Sequence, residues 1–416
     1  MTDRRTLLRL PASLVATCAF RPTSRLWAGL MAASAAQAQA QTTDQAQTAT
    51  PASAAASRPA TPLDTPKTAQ GVVPETPAAG LSRAPLQFPR DLGAHPDSRI
   101  EWWYITGSLS VAGQARPYGF QITFFGSRTD VGPGHSSRFA ARQVVFAHAA
   151  VSDVGGGKLR HDQRIARTGF GIAEASTSDT DVTLRDWLLR RSGPLTQSLY
   201  HARMASDSGR FGYDLQLMAT QPLLLQGDAG WSRKGPRPDQ ASRYYSEPHL
   251  AATGTLTLDG KALPVTGTAW LDHEWSDGLL DADAVGWDWI GMNLDDGGAL
   301  TAFQVRRKDG SAVWAGGSHR SAAGVFRDFG PQDVRFEAGR RWTSPSTATA
   351  YPVAWTVRTP AGVFVVAPLL DNQELDSRNS TGTVYWEGLS ELRDPQGARV
   401  GSGYLEMTGY VAALKL

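Results

Sequence analysis

Hydrophobic and polar positions alternate along most of the chain from Leu86 onward, which is the pattern of half-buried β-strands. In the run 100–107 (IEWWYITG), even-numbered and odd-numbered side chains would face opposite sides of one strand. The runs 120–124 and 144–148 continue this pattern. Helical patterns are few, and the spacing in 183–191 predicts at most one or two helical turns.

Turn signals divide these runs into hairpins. Asp-Gly pairs stand between apolar runs at 259–260, 296–297 and 309–310, and each pair predicts a tight turn. Predicted strands follow or flank them at 289–294, 299–306, 311–316, 353–359, 362–368, 383–392 and 404–410. A single closed sheet of this many strands would leave an unfilled lumen, so we predict an all-β antiparallel fold with two separate sheet systems, at the strand spacing of barrels or sandwiches, and few short helices.

The N-terminal region predicts an export signal followed by a tether. Arg4-Arg5 and the following leucines resemble a twin-arginine signal, with apolar stretches at 10–20 and 26–36 and a small-residue cleavage site at 38–40. An uncleaved anchor or a later start are the alternatives. We therefore predict a signal peptide at 1–40, periplasmic or secreted location, and no transmembrane segment in the mature chain, because neither apolar stretch reaches about 20 residues.

The predicted domains follow from these observations. Residues 41–85 are rich in Ala, Thr and Pro and have almost no large apolar side chain, so they predict a disordered tether. The N-terminal barrel is predicted at 86–280 and the C-terminal barrel at 281–416, with the junction in the polar stretch 277–284. The segment 226–238 is predicted to be an ordered loop across the mouth of the first barrel.

Composition narrows the function. The chain has 416 residues, a formal net charge of +2 and a single cysteine, which excludes an internal disulfide. No long basic run exists, so a nucleic-acid partner is not predicted. Thirteen tryptophans is a high count, and such aromatic density is typical of barrel interiors and ligand clefts.

Several common active-site motifs are missing from the sequence. There is no G-x-S-x-G elbow, and no glycine-rich phosphate loop follows a strand and opens a helix. The stretch 273–277 (HEWSD) has the first half of H-E-x-x-H but carries Asp at the fifth position, on a predicted strand. The histidines are scattered and no cysteine ligand is available. We predict no metal and no cofactor.

The candidate chemistry is acid and histidine among aromatic side chains in the stretch 268–294. On a strand, Asp272 and Glu274 share one face with Trp270, while His273 and Trp275 share the other. If the acids face the interior, burial and mutual repulsion would raise a carboxyl pKa and create a neutral proton donor. If His273 faces the interior, the acids form a salt-bridged outer face or a contact with the other barrel.

Further acids have the same character. Asp288 stands between two tryptophans on an apolar face, where an ion pair with Arg306 is the structural alternative to catalysis. Glu101 shares a face with apolar side chains, and Glu387 and Glu406 are further buried-acid candidates for which structural pairing is favoured. The predicted catalytic set is Asp272, His273, Glu274, Asp288 and Glu101. The predicted ligand-binding set is Trp102, Trp103, Tyr104, Tyr245, Trp270, Trp275, Trp287 and Trp289.

These residues together resemble a family of lipocalin-like proteins that includes the carotenoid 1,2-hydratases (hydroxyneurosporene synthases) and the AttH-type predicted secreted hydrolases. The matching stretches are 95–107 (HPDSRIEWWYITG), 244–245 (YY), 267–275 (GTAWLDHEW), 286–294 (GWDWIGMNL), 385–388 (YWEG) and 403–410 (GYLEMTGY). The resemblance implies two tandem lipocalin-like barrels that meet at a shared interface, and long apolar ligands. The export signal makes the chain more similar to the secreted AttH-type branch.

The resemblance also implies a chemistry. The hydratase members add water across an isolated double bond without a cofactor, by protonating the alkene and trapping the cation with water. Here Asp272, Glu274 or Asp288 would be the acid, and tryptophans would form the walls.

We weigh three hypotheses. The first is a periplasmic protein that binds an apolar lipid-like or terpenoid-like ligand, with an envelope ABC-type transporter as its partner. The alternative is a cofactor-independent hydratase, a hydro-lyase of the carotenoid 1,2-hydratase type. A secreted hydrolase is the least favoured, because it would need a nucleophile or a metal-bound water.

Overall fold

The computed structural model describes residues 81–129, 137, 139–278 and 280–414, all of which belong to one compact unit, Pro74–Leu416. The predicted signal peptide and most of the predicted tether lie outside the described residues. The described chain is almost wholly β, with short 3-10 helices at Arg90–Leu92 and Leu195–Gln197. Within this part of the chain, no helix is long and apolar enough to cross a membrane.

The first half of the chain forms one antiparallel sheet of thirteen strands. These are β1 (Ile100–Ser110), β2 (Tyr118–Arg128), β3 (Gln143–Asp153), β4 (Lys158–Arg167), β5 (Ala173–Ala175), β6 (Asp181–Leu184), β7 (Trp187–Ser192), β8 (Leu199–Ser206), β9 (Phe211–Met218), β10 (Leu224–Leu225), β11 (Trp231–Arg233), β12 (Ala241–Leu258) and β13 (Lys261–Gly278). Their order is β4-β3-β2-β1-β13-β12-β9-β8-β7-β6-β5, and β10 and β11 pair with β12.

This first sheet curls into a nearly closed barrel, because β3 and β4 at one end contact β5 and β6 at the other. Its interior is filled by one face of the alternating strands, including Trp103, Phe124, Trp187, Tyr245 and Leu271, all nearly inaccessible to solvent. The register pairs Trp103 with Phe124 on one side and with His273 on the other. Odd-numbered side chains of β1 therefore form core.

The second half forms an antiparallel sheet of ten strands and a separate two-stranded ribbon. These are β14 (Gly286–Leu294), β15 (Ala299–Arg306), β16 (Ala312–Arg320), β17 (Phe326–Phe329), β18 (Arg335–Ala338), β19 (Trp342–Thr343), β20 (Ala350–Tyr351), β21 (Trp355–Thr359), β22 (Gly362–Pro368), β23 (Glu374–Asp376), β24 (Val384–Arg393) and β25 (Arg399–Met407). The order is β17-β16-β15-β14-β25-β24-β22-β21-β18, with β23 on β24 and the ribbon formed by β19 and β20.

A separate apolar cluster lies between the two sheets. Its buried members include Tyr104 and Trp270 from the first sheet and Trp289, Phe303 and Tyr404 from the second. The side chains of β1 and β13 that point away from the first barrel interior are thus buried against the second sheet. Both faces are buried over residues 103–107 of β1 and 269–276 of β13.

Glycine at position 291 permits the close approach of aromatic rings at this interface. A Cβ atom at Gly291 would lie 2.3 Å from the Trp289 ring and 3.2 Å from the Trp270 ring. Any other residue here would displace one of the two indoles.

The structure confirms the all-β, tandem lipocalin-like fold, and the Asp-Gly turns join β12 to β13, β14 to β15 and β15 to β16. The predicted helical turns at 183–191 are wrong. This stretch forms the β6–β7 hairpin, with Arg185 at φ 58° in the turn. A two-residue turn inside an alternating pattern gives buried positions at 182, 184, 187 and 189, which imitates helical spacing. The domain boundary at 280–281 stays a prediction.

Candidate active site

A cavity lies between the two sheets, with an empty volume of about 830 Å³ including its mouth. Its walls are mostly aromatic and aliphatic: Ile100, Trp102, Tyr104, Phe125, Tyr244, Leu280, Trp287, Trp289, Phe303, Val305 and Tyr385. Four carboxyl side chains also line it, namely Asp272, Glu274, Glu387 and Glu406. An apolar cavity with a few convergent polar groups is the usual form of a small-molecule site.

Strand alternation brings each sheet's carboxyl groups to this cavity. On β13, Asp272 and Glu274 point away from the first barrel interior, opposite Tyr104 and Trp102 of β1. Both acids are buried, with 3% and 5% of their surfaces exposed.

The second sheet supplies the other pair. Glu387 of β24 and Glu406 of β25 face each other across neighbouring strands, and Glu406 also stands opposite Trp289 of β14. The two pairs influence each other across the interface, because the charge of Glu274 raises the pKa of Glu406 and the charge of Asp272 raises that of Glu387.

Asp272 is held in one orientation by its neighbours. The Ser246 hydroxyl donates to its Oδ1 at 2.5 Å, and the Trp270 indole N–H donates to the same oxygen at 2.7 Å. Burial raises the pKa of Asp272 to about 7, while hydrogen bonds from Ser246, Trp270 and Tyr244 oppose that rise. Near neutral pH this carboxyl group can therefore donate or accept a proton.

Glu387 and Glu406 are also held by hydrogen bonds and also have raised pKa values. The Tyr104 hydroxyl donates to Glu387 Oε1 at 2.6 Å, and the Trp287 indole N–H donates to Glu406 Oε2 at 3.0 Å. Burial, helped by the charge of Glu406, raises the pKa of Glu387 well above its usual range, and burial raises that of Glu406 to about 7. Glu387 Oε2 is buried and has no hydrogen-bond partner within the described part of the chain.

One cation completes the cavity wall. The Lys234 ammonium lies 3.1 Å from Glu274 Oε1 and donates to Ser232 Oγ at 3.0 Å. It also lies over the rings of Tyr244 and Phe303, 4.7 and 4.3 Å from their centroids. The cavity therefore holds the ion pair of Glu274 and Lys234 beside three carboxyl groups whose pKa values are raised.

Glu101 and His273 occupy a different place, inside the first barrel. Glu101 Oε1 lies 2.7 Å from His95 Nδ1 and 2.7 Å from His273 Nε2. The Tyr245 hydroxyl is 3.0 Å from His273 Nδ1, and the His95 ring stacks on Trp275 with centroids 3.6 Å apart. Of the two arrangements considered from the sequence, the structure has His273 in the barrel interior and the acids against the other sheet.

The same group is the candidate for a metal centre. Ligand-type atoms of His95, Glu101 and His273 lie within 4.8 Å of one another. However, the carboxylate oxygen stands at hydrogen-bond distance from both imidazole nitrogens, and Glu101 Oε2 accepts the His95 backbone N–H at 2.8 Å. These groups satisfy one another, and we assign no metal to them.

Asp288 is buried within the second sheet and does not line the cavity. Its Oδ2 lies 3.2 Å from Arg306 Nε and accepts a hydrogen bond from Gln304 at 2.7 Å, while Tyr410 donates to Oδ1 at 2.9 Å. The ion pair with Arg306 considered from the sequence is present. Burial raises the pKa of Asp288, and the Arg306 charge opposes this rise.

The predicted site residues thus fall into three groups. Asp272, Glu274, Trp102, Tyr104, Trp287 and Trp289 line the cavity, with Trp270 bonded to Asp272. Glu101, His273, Trp103, Tyr245 and Trp275 pack together inside the first barrel. Asp288 is alone within the second sheet. No pattern in the sequence indicated Lys234, which lies in an irregular, proline-rich segment.

The raised pKa of Asp272 predicts a pH-dependent stability. Between about pH 4 and pH 7 the folded state retains this proton while the unfolded chain is ionised, so the contribution of Asp272 to stability is greatest below pH 4 and is lost as the pH rises to 7. The effect is on the order of 4 kcal/mol. Asp272→Asn should flatten the pH dependence of the denaturation midpoint over this range. An unchanged slope would show that Asp272 is ionised in the folded protein.

The fold and the site define a lipocalin-like all-β protein with buried acids at the interface between its two sheets. The chain belongs to the AttH-like family, whose model matches residues 79–410. This confirms the resemblance to the AttH-type branch.

Solved structures and a curated protein are also similar. An AttH protein from Nitrosomonas europaea is 48% identical, with a TM-score of 0.73 over 79% of this chain and 98% of its own. Kievitone hydratase from Nectria haematococca is 14% identical, with a TM-score of 0.59 over 78% of this chain and 93% of its own, a likeness that shows the fold alone. Dehydratase asqC from Emericella nidulans is 25% identical over 181 residues. The match covers 41% of this chain and spans about half the length of that relative.

Proposed function

We propose that the protein is a hydro-lyase that adds water to, or removes water from, an apolar substrate in the cavity between the two sheets. The observation that carries the proposal is the set of four carboxyl groups in an aromatic cavity, three of them with raised pKa and one paired with Lys234. Such a reaction needs one group that gives a proton and one that takes it, and this site has both.

In the hydration direction, a protonated carboxyl group gives its proton to one carbon of a double bond. We assign this role to Asp272, with the pair Glu387 and Glu406 on the opposite wall. The other carbon becomes cationic and bonds to the oxygen of water, whose released proton passes to the Glu274 carboxylate. Trp102 and Trp289 line the cavity, and aromatic π-systems stabilise positive charge in a water-poor site. Dehydration is the reverse sequence.

Dehydratase asqC, by name an enzyme that removes water, supports this class of reaction over simple ligand binding, and kievitone hydratase shares the fold. The hypothesis of a carrier for an apolar ligand uses the same cavity and differs only in turnover. A carotenoid-type substrate, a periplasmic location and an envelope transporter as partner remain proposals.

The test is to incubate the protein with a panel of apolar alkenes and tertiary alcohols in water enriched in heavy oxygen. Conversion is followed by mass spectrometry. We expect incorporation of heavy oxygen into alcohols formed from alkenes, and loss of water from alcohols. A glutamate outside the cavity offers a control, since Glu337→Gln alters an exposed surface pair. Tight binding of panel members without conversion would return the protein to the carrier hypothesis.

The rate should also depend on pH. Asp272 and Glu406, whose pKa is raised to about 7, lose their protons as the pH rises through that value. We therefore expect kcat/KM for hydration to fall about tenfold per pH unit above pH 7. A rate that rises steadily from pH 6 to 9 would contradict proton donation by either group.

A further inference from the structure

A relay of buried hydrogen bonds reaches Asp272 from the second sheet. The Ser318 hydroxyl donates to Gln226 Oε1 at 2.6 Å, Gln226 Nε2 donates to Ser246 Oγ at 2.8 Å, and the Ser246 hydroxyl donates to Asp272 Oδ1 at 2.5 Å. All four side chains are at least 97% buried. Gln226 belongs to the connection between β10 and β11, and Ser318 belongs to β16, so the relay crosses the interface between the two sheets.

The donor and acceptor groups of Gln226 determine the direction in which hydrogen bonds are donated along this relay. The amide nitrogen of Gln226 is only a donor, so Ser246 must accept from it and keeps its own hydrogen for Asp272. The second amide hydrogen points to Thr301 Oγ1 at 3.2 Å, and the amide oxygen is occupied by Ser318. The Ser246 hydroxyl therefore keeps its hydrogen for a neighbour other than Gln226, and Asp272 Oδ1 lies 2.5 Å away.

The indole of Trp270 adds an independent constraint at the same oxygen. Its N–H can only donate, and it points to Asp272 Oδ1 at 2.7 Å. Tyr244 also hydrogen-bonds to the carboxyl group, but Oδ1 accepts from both Ser246 and Trp270, which makes it the carbonyl-type oxygen of the protonated group. The acidic hydrogen then resides on Oδ2.

We propose that Gln226 and Ser246 are positioning residues that hold the proton of Asp272 on Oδ2 and present it to the cavity. This inference rests on the proposed function for its purpose, since only a proton donor needs a fixed acidic hydrogen. Because Gln226 is itself oriented by Ser318 and contacts Thr301 of β15, the orientation of the Asp272 carboxyl group depends on how the second sheet packs against the first. The relay explains why a buried glutamine occupies an otherwise irregular connection.

The experiment is a pH titration of Asp272 in the ligand-free protein, followed by NMR of carboxyl carbon in protein labelled at aspartate. Ser246→Ala removes a donor that favours the ionised form, so the pKa of Asp272 should rise by about one pH unit. Gln226→Leu frees the Ser246 hydroxyl to rotate and should raise the pKa by less. In the Ser246→Ala background, Gln226→Leu should cause no further shift, because its effect passes through Ser246.

A matched control is Ser276→Ala, which removes a buried hydroxyl on β13 that donates to the Ala241 carbonyl. It should leave the Asp272 titration unchanged. The relay is overturned if Ser246→Ala does not shift the titration, or if Gln226→Leu shifts it equally with and without Ser246. The titration needs no substrate, so absence of turnover with the expected shifts would reject the hydro-lyase proposal and leave the relay standing.

Discussion

Asp272→Asn should lower turnover by about 10²–10⁴-fold, the range expected when a positioned proton donor is removed. Asparagine has nearly the shape of the carboxyl group and can still accept from Ser246 and Trp270 through its amide oxygen, so the cavity should keep its form. The loss should appear in kcat more than in KM, because the proton is transferred only in the transition state. Steady-state kinetics on any converted panel member would measure it.

Two variants sharpen this result. Asp239→Asn changes an exposed aspartate on the surface and should leave kinetics unchanged. Glu387→Gln changes the opposite wall of the cavity and should reduce turnover if the second pair shares in proton transfer. Full activity of Asp272→Asn, with Glu387→Gln and Glu406→Gln also active, would exclude proton donation by the three cavity carboxyl groups whose pKa values are raised.

Arg306→Leu should have the largest effect on stability. Asp288 is fully buried, and removal of Arg306 leaves its charge without the cation that lies 3.2 Å away. Breaking a buried pair in this way costs about 3–5 kcal/mol. Arg306 also lies over the Tyr410 ring at 3.9 Å, a contact that the variant loses as well. Urea denaturation followed by tryptophan fluorescence would show a lower midpoint.

The double variant Asp288→Leu with Arg306→Leu should recover part of the loss, because it removes the uncompensated charge. An exposed pair provides the comparison: Arg378→Leu breaks a contact with Asp376 on the surface, which should change stability by no more than about 1 kcal/mol. If Arg306→Leu lowered stability as little as Arg378→Leu, Asp288 would be neutral in the folded protein and would not need the Arg306 cation.

Local pattern was enough to predict much of the fold. Alternation in 100–107 and the Asp-Gly pairs are decided within a few residues, and the structure has the expected strands and hairpins there. The error at 183–191 has the same local origin, because two short strands joined by a tight turn repeat apolar residues at nearly helical spacing.

The site was harder to predict because it depends on contacts between distant segments. Alternation separates Asp272 from His273 but cannot say which face is inward, and here both faces are buried, one in a barrel and one between sheets. Glu387 and Glu406 join Asp272 only through the pairing of the second sheet. Lys234 reaches the cavity from an irregular segment, where no periodicity indicates a direction.

The most direct test is infrared measurement of the carboxyl groups of the ligand-free protein between pH 5 and 9. Wild-type protein should show a buried protonated carboxyl band, and the part of that band that Asp272→Asn removes should be lost with a midpoint of about pH 7. A spectrum in which Asp272→Asn removes no protonated band at any pH would mean that Asp272 is ionised throughout, which would contradict its role as the proton donor.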